Sequence, residues 1–266
     1  MSSRFYINRN RCKDTDTVCE KIREIMHSYG WTESKRIKNA DLCFSVGGDG
    51  TFIDTAGCMD PNAEIIGINM GTLGYLADTE PDEVEDMLHK YVRKEYCVQE
   101  RMCINAHLQS DDTVPGSVEE IHKALNDIVV TKNNSSVIDI EIFVNRTRII
   151  GCYADGVIVS TPTGSTGYAF SCGAPFIDPS SSMIIITLIA PHTIMNRSII
   201  VSSDSTLIIK IRGARGDDYA QISYDGQKEK IKIGSVVNIC KSVVPVKMVK
   251  FGDSTSFLDR IAKKMS

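Results

Sequence analysis

Near Arg101 the hydrophobic period of the chain changes, and this change constrains the fold more than any other feature. Before it, short apolar runs alternate with patterns of helical spacing. Phe5-Tyr6-Ile7, Leu42–Val46 and Glu64–Asn69 read as strands. Val18, Ile22, Ile25, Met26 and Tyr29 recur at helical spacing, as do Val84, Met87, Leu88 and Tyr91. Thr17 and Glu20 read as a capping box for the first of these helices and Gly30 as its stop. Strands that alternate with helices predict βαβ units and a parallel sheet. After Arg101, Ile138, Ile140, Ile142 and Val144 alternate with Asp139 and Glu141, the period of a half-buried strand. Further strand-like runs follow at Val157–Ser160, Ile184–Ile189, Leu207–Ile211, Val236–Ile239 and Val243–Val249, with few helical patterns between them. The expected fold is an α/β N-terminal domain with a parallel sheet over 1–100, joined by the tail 250–266, and a β-rich, largely antiparallel domain over 101–249. Asp111–Val118 reads as an exposed loop, and Phe257–Lys264 as a short amphipathic stretch whose partner is not legible.

Composition removes several function classes. Thirty Lys and Arg face 34 Asp and Glu, a net charge of −4, so a nucleic-acid face or a polybasic membrane patch is not expected. The longest apolar run, Met183–Ala190, is far short of the roughly 20 residues that span a bilayer. The first residues lack the apolar core of a signal peptide. Nine cysteines, none in Cys-x-x-Cys spacing, and five scattered histidines predict free thiols, no metal cage and a reducing, cytoplasmic setting.

Twelve of the 19 glycines fall within residues 47–74 and 151–173. In the first window Gly47-Gly48-Asp49-Gly50-Thr51 follows a strand and precedes a helix-like segment, Phe52–Cys58. Glycines let the backbone bend and bring its N–H groups to an anion, and a helix N-terminus adds positive potential. A carboxylate there would repel phosphate, so Asp49 needs a positive task. It can accept a proton from an attacking hydroxyl or hold a Mg²⁺ that bridges phosphates. Gly-Gly-Asp-Gly alone also fits a plain tight turn. No Gly-x-x-x-x-Gly-Lys-[Ser/Thr] P-loop occurs, and no Gly-x-Gly-x-x-Gly opens a helix.

The second window runs Ala154-Asp155-Gly156-Val157-Ile158-Val159-Ser160-Thr161-Pro162-Thr163-Gly164-Ser165-Thr166-Gly167-Tyr168-Ala169-Phe170-Ser171. It is a strand feeding a turn rich in hydroxyls and amides, with Tyr168 able to stack on a planar base. A nucleophile elbow is excluded, because Thr163 stands where Gly-x-Ser-x-Gly requires glycine. A polar β-loop without a ligand is the alternative.

Gly-Gly-Asp-Gly-Thr resembles the signature shared by NAD kinases, diacylglycerol and sphingosine kinases and, more loosely, 6-phosphofructokinases. The second window resembles the most distinctive segment of the NAD kinase family alone. Gly67–Leu76, Leu125-Asn126-Asp127-Ile128-Val129 and Ser223-Tyr224-Asp225-Gly226-Gln227 resemble further elements of that family, in order, and Arg197 lies where the family has an Arg. The colinear resemblance covers residues 45 to 227. One departure stands out: Asp127 replaces the family's usual Glu, keeping the charge on a shorter side chain.

The resemblance implies transfer of a phosphoryl group from ATP, or from polyphosphate, to the 2′-hydroxyl of the adenosine ribose of NAD. It implies that the tail returns to the N-terminal domain. Asp49 would be the base or Mg²⁺ partner, with Gly48, Gly50 and Thr51 on the donor phosphates and Phe52 beside them in the dinucleotide site. Asn126 and Asp127 would hold ribose hydroxyls; Thr163, Thr166 and Tyr168 would contact the adenine, with Gly167 also among the NAD-binding residues. Ser171 would help position the dinucleotide and Asp155 would bind its nicotinamide end, with Arg197, Asp225 and Gln227 as further candidates. In this family the Asp155-type contact can come from a neighbouring subunit, so a homodimer or homotetramer is expected. Mg²⁺ would be bound mainly through phosphates. Two alternatives stay open: a lipid kinase, disfavoured by Phe52-Ile53-Asp54 where those enzymes carry Asn-Glu, and a non-catalytic NAD(P) sensor, favoured only by Asp127. Taken alone, Asn126-Asp127 is a turn before a strand and Asp155 a satisfied loop carboxylate.

Overall fold

The structure, a computed structural model, describes residues 3–11, 15–71, 74–109, 121–194, 196–214, 216, 218–252 and 257–265. Asp111–Val118, read above as a loop, lies outside the described residues. The chain forms two compact units, 1–101 with 245–266 and 102–244.

The first unit begins β1 (Arg4–Arg9), α1 (Asp16–Ser28), β2 (Thr32–Glu33), β3 (Leu42–Gly47), α2 (Asp49–Cys58), β4 (Glu64–Asn69), α3 (Val84–Val92) and β5 (Cys97–Arg101). β3 pairs in parallel with β1 and β4, and every one of its residues is buried. That is the signature of a central parallel strand covered on both faces. Leu42, Phe44 and Val46 join Val18, Ile22 and Met26 of α1 and Met87 and Leu88 of α3 in one core. Phe52 of α2 packs over Gly67 of β4. The capping box expected at Thr17 and Glu20 does not form: α1 begins at Asp16, so Thr17 is already inside the first turn. Gly30 takes φ +80 past the helix end, and Trp31 N–H bonds back to Met26.

The second unit is built from β6 (Ile104–Gln109), β7 (Ile121–Ala124), β8 (Asp127–Lys132), β9 (Ile138–Val144), β10 (Thr147–Ala154), β11 (Gly156–Ser160), the one-turn helix α4 (Tyr168–Ser171), β12 (Met183–Ile189), β13 (Ile199–Ser202), β14 (Leu207–Ala214), β15 (Tyr219–Tyr224), β16 (Gln227–Lys232) and β17 (Val236–Lys241). Two six-stranded antiparallel sheets form, ordered β10-β9-β14-β17-β6-β7 and β13-β12-β11-β8-β15-β16. Both contribute to one apolar core, Ile138, Ile140 and Ile142 from the first meeting Val157, Val159 and Ile186 from the second. The outer face of the second sheet is covered in turn: Val129, Ile158 and Ile185 pack under Ala169 and Ala174. The segment carrying the second glycine window is therefore anchored onto the sheet.

The chain then returns to the first unit through β18 (Val246–Lys250) and α5 (Phe257–Met265). The run Val243–Val249, read with the β-rich half, splits: Val243 is 94% exposed, and β18 enters the first unit's sheet between β4 and β5. That sheet is ordered β2-β1-β3-β4-β18-β5, with only β5 antiparallel.

Candidate active site

In the first unit the glycine loop sits at the carboxyl ends of the parallel strands, the edge where open α/β sheets place ligands. Gly48 precedes the first residue of α2, so Asp49 opens the helix and not the loop before it. A carboxylate in the first turn is favoured by the helix dipole. Its oxygens accept three consecutive backbone N–H groups: Tyr75 at 2.8 Å on Oδ2, and Leu76 at 2.9 Å and Ala77 at 3.2 Å on Oδ1. A Cβ on Gly74 would lie 2.3 Å from Asp49 Oδ1, so only glycine admits the carboxylate here. Gly48 and Gly50 have open space where a Cβ would stand. Thr51 is half-buried; its carbonyl accepts the Thr55 hydroxyl at 2.6 Å, and Asn8 donates to that hydroxyl at 2.9 Å. Phe52 is fully buried, and a Cβ on Gly67 would lie 2.9 Å from its ring.

In the second unit three strand ends meet. Asp127 opens β8 and pairs with Ser160, the last residue of β11, while the Asp225-Gly226 turn joins β15 to β16 beside them. Positive φ at both turn residues, 48 and 88, gives the tight hairpin that Asp-Gly favours. Asp225 folds back to accept the N–H groups of Leu125 at 2.6 Å, Asn126 at 2.8 Å and Asp127 at 3.1 Å. Each unit thus holds one stretch of chain by the same device, a carboxylate gripping three successive amides.

Thr161 ties this stretch to the second window: its hydroxyl donates to Leu125 O at 2.6 Å and accepts from Gly164 N–H at 3.1 Å. A Cβ on Gly164 would lie 2.2 Å from the Asn126 carbonyl oxygen. A Cβ on Gly167 would lie 3.8 Å from Asn126 Nδ2, and Thr166 donates to Thr163 O at 3.3 Å. Asn126 Oδ1, Ser160 Oγ and Thr163 Oγ1 are buried with no hydrogen-bond partner among the described residues. Buried polar atoms left unpaired in a native fold call for a ligand or water. Burial, reinforced by the Asp225 carboxylate, pushes Asp127 up to about 7. Burial also raises Asp225, against the pull of its three amides.

Tyr168 is 46% exposed, an accessible ring. Its phenol is raised by burial and then by Cys172, Asp155 and Asp127, so those groups lie within electrostatic reach. Asp155 accepts from Lys132 Nζ at 2.7 Å, an ion pair that the sequence reading missed because its partner comes from the neighbouring strand. Ser171, Arg197 and Gln227 are exposed, and Gln227 follows the Asp225-Gly226 turn directly. Ser160 and Thr161 were also missed, since a hydroxyl at a strand end carries no signal of its own. Among the described residues no three His, Cys, Asp or Glu side chains converge as a metal cage. No helix of the described residues is long and apolar enough to cross a membrane.

Comparison with known proteins gives this geometry a lineage. A family model described as the ATP-NAD kinase N-terminal domain matches residues 6–96, and one described as the ATP-NAD kinase C-terminal domain matches 125–251. An NAD kinase of Lachnospira eligens is 33% identical over 297 aligned positions, covering 98% of this chain and 99% of the relative. The crystal structure of an NAD kinase from Archaeoglobus fulgidus in complex with ATP superposes with a TM-score of 0.78 at 26% identity, covering 99% of this chain and 98% of that one. The crystal structure of yeast NADH kinase complexed with NADH superposes with a TM-score of 0.90, covering 99% of this chain and 87% of that one, and at 19% identity shows the shared fold. The chain belongs to the NAD kinase family.

Proposed function

We propose that this protein transfers the γ-phosphoryl group of ATP to the 2′-hydroxyl of the adenosine ribose of NAD, giving NADP. The observation that carries the reading is the group of orphaned buried atoms, Asn126 Oδ1, Ser160 Oγ and Thr163 Oγ1, set beside a buried carboxylate in a family whose relatives are NAD kinases. An amide oxygen and two hydroxyls suit the polar edge of a nucleoside, and exposed Tyr168 suits the face of its base. Thr163, Thr166 and Tyr168 take the adenine, Asn126 and Asp127 the ribose hydroxyls, and Asp155 the nicotinamide end. Lys132 holds Asp155 ready for that contact. The protein works as a homodimer or homotetramer in which a neighbour can supply that last contact.

Phosphoryl transfer needs little covalent chemistry from the protein; positioning and charge stabilisation dominate. The open backbone at Gly48 and Gly50 and the start of α2 receive the donor phosphates. Asp49 Oδ2 accepts one amide and keeps capacity to accept the ribose hydroxyl proton. Asp49 also fits a Mg²⁺ partner, because Mg²⁺ takes one or two carboxylates and fills its remaining positions with phosphates and water. Bound there, the ion would neutralise charge on the transferring phosphoryl group. Replacing Asp49 by Asn tests the assignment. The fold should persist while kcat falls by about 10²–10⁴-fold, the scale of a lost general base. Wild-type turnover in that variant would reduce Asp49 to an anchor for the 75–77 amides.

A further inference from the structure

Asp49 is oriented by the amides of residues 75–77, and that segment is gripped again from its other side. Arg260 of α5 is 3% exposed. Its Nη1 donates to the Tyr75 carbonyl at 2.9 Å and its Nη2 to the Asp78 carboxylate at 2.6 Å. One guanidinium therefore spans both ends of the segment whose amides hold Asp49. Lys250 of β18 donates to the same Asp78 oxygen, and the Phe257 ring lies 6.3 Å from that of Tyr75. A planar fork can satisfy a carbonyl and a carboxylate at once with little loss of freedom, which an ammonium cannot. Arg260 sits 182 and 185 positions from its two partners in sequence, so the fold must bring them together.

We propose that Arg260 is a positioning residue for phosphoryl transfer, bridging the Tyr75 carbonyl and the Asp78 carboxylate so that the amides of 75–77 hold Asp49 in its working orientation. The inference rests on Asp49 acting at the reacting hydroxyl. Lys250 does not duplicate the role. Burial lowers it to about 8, with Asp78 opposing and the Arg260 and Arg101 cations adding to the fall, and its ammonium donates to Asp78, whereas the guanidinium reaches both Asp78 and the Tyr75 carbonyl. Removing the guanidinium leaves the Tyr75 end of the segment without this anchor. A displacement of about 1 Å at a reacting group can cost about 10²-fold in rate.

The test is a double-substitution cycle on the full chain, measuring kcat, the KM values for NAD and ATP, and the melting temperature. Arg260→Ala should lower kcat by about 10²-fold with the KM for NAD unchanged. Arg260→Lys, which keeps the ion pair with Asp78 and loses the fork, should recover only part of that loss and carries the cycle if the alanine variant does not fold. In the Asp49→Asn background the same Arg260 substitution should cost no further kcat, because effects of residues that act as a unit do not multiply. An equal loss in both backgrounds would mean that Arg260 only supports the fold, and would overturn the proposal, as would wild-type kcat in both Arg260 variants. Wild-type kcat in Asp49→Asn alone would instead overturn the reading of Asp49, and the cycle separates the two.

Discussion

Asp127→Asn probes the most perturbed carboxyl of the second unit. Asp127 is 8% exposed, and burial followed by the charge of Asp225 moves it from an ordinary 3.8 to about 7. At roughly 1.4 kcal/mol per pH unit, that interval sets a ceiling on the order of 4 kcal/mol for ionising Asp127 in the folded chain. The sign follows from linkage. The native state binds this proton more tightly than the unfolded state, so its contribution to stability is complete below the unfolded value and is lost as pH rises through the folded one. Asn has nearly the same shape and cannot ionise. Denaturant unfolding of both proteins from pH 4 to 8 should therefore show wild type losing stability relative to the variant across the window from 3.8 to about 7. The variant should gain by as much as about 4 kcal/mol at the upper end, the ceiling derived above. Asp225 titrates with Asp127 as a pair, so the measured midpoint belongs to both groups. Stability curves that run parallel from pH 4 to 8 would refute the argument that Asp127 is held protonated by its surroundings.

Other substitutions test the remaining parts of the site. Asp225→Ala releases the amides of residues 125–127 and should cost at least about 2 kcal/mol in denaturant unfolding, the usual scale for hydrogen bonds to a charged group, while raising the KM for NAD. Gly164→Ala drives a methyl to 2.2 Å from the Asn126 carbonyl oxygen; a destabilisation of about 1–3 kcal/mol and a higher KM for NAD are expected. Thr163→Val removes a buried unpaired hydroxyl without changing shape, so melting temperature should hold or rise while NAD binding weakens by about fivefold, near 1 kcal/mol. A fall in stability with unchanged NAD affinity would show that the Thr163 hydroxyl serves the fold.

Much of the architecture is legible in the sequence because its signals are local. The unbroken burial of Leu42–Gly47 and the alternation of Ile138–Val144 follow from runs of a few residues, and those runs became β3 and β9. What was not legible is non-local. Nothing in Val243–Val249 says which sheet its strand will join, because that depends on a vacant place between β4 and β5. Thr17 and Glu20 have the spacing of a capping box, but a helix that starts at Asp16 leaves Thr17 inside the first turn and not at its cap. Phe52 adjoins the glycine motif in sequence, and its complete burial on α2 is set by the fold around it. The types of residue at the site were readable, and their partners were not: Lys132 for Asp155, the amides of 75–77 for Asp49, and Arg260 for the segment that carries them all come from strand pairing or chain return.

The function turns on a choice of substrate and of hydroxyl. The protein incubated with NAD, ATP and Mg²⁺ and then assayed with a dehydrogenase specific for NADP reads both, since only the 2′-phosphate is recognised by such an enzyme. NADP formation that depends on ATP and falls sharply in Asp49→Asn is the expected result. No NADP under these conditions, with phosphate transferred from ATP to diacylglycerol in a parallel reaction, would contradict it.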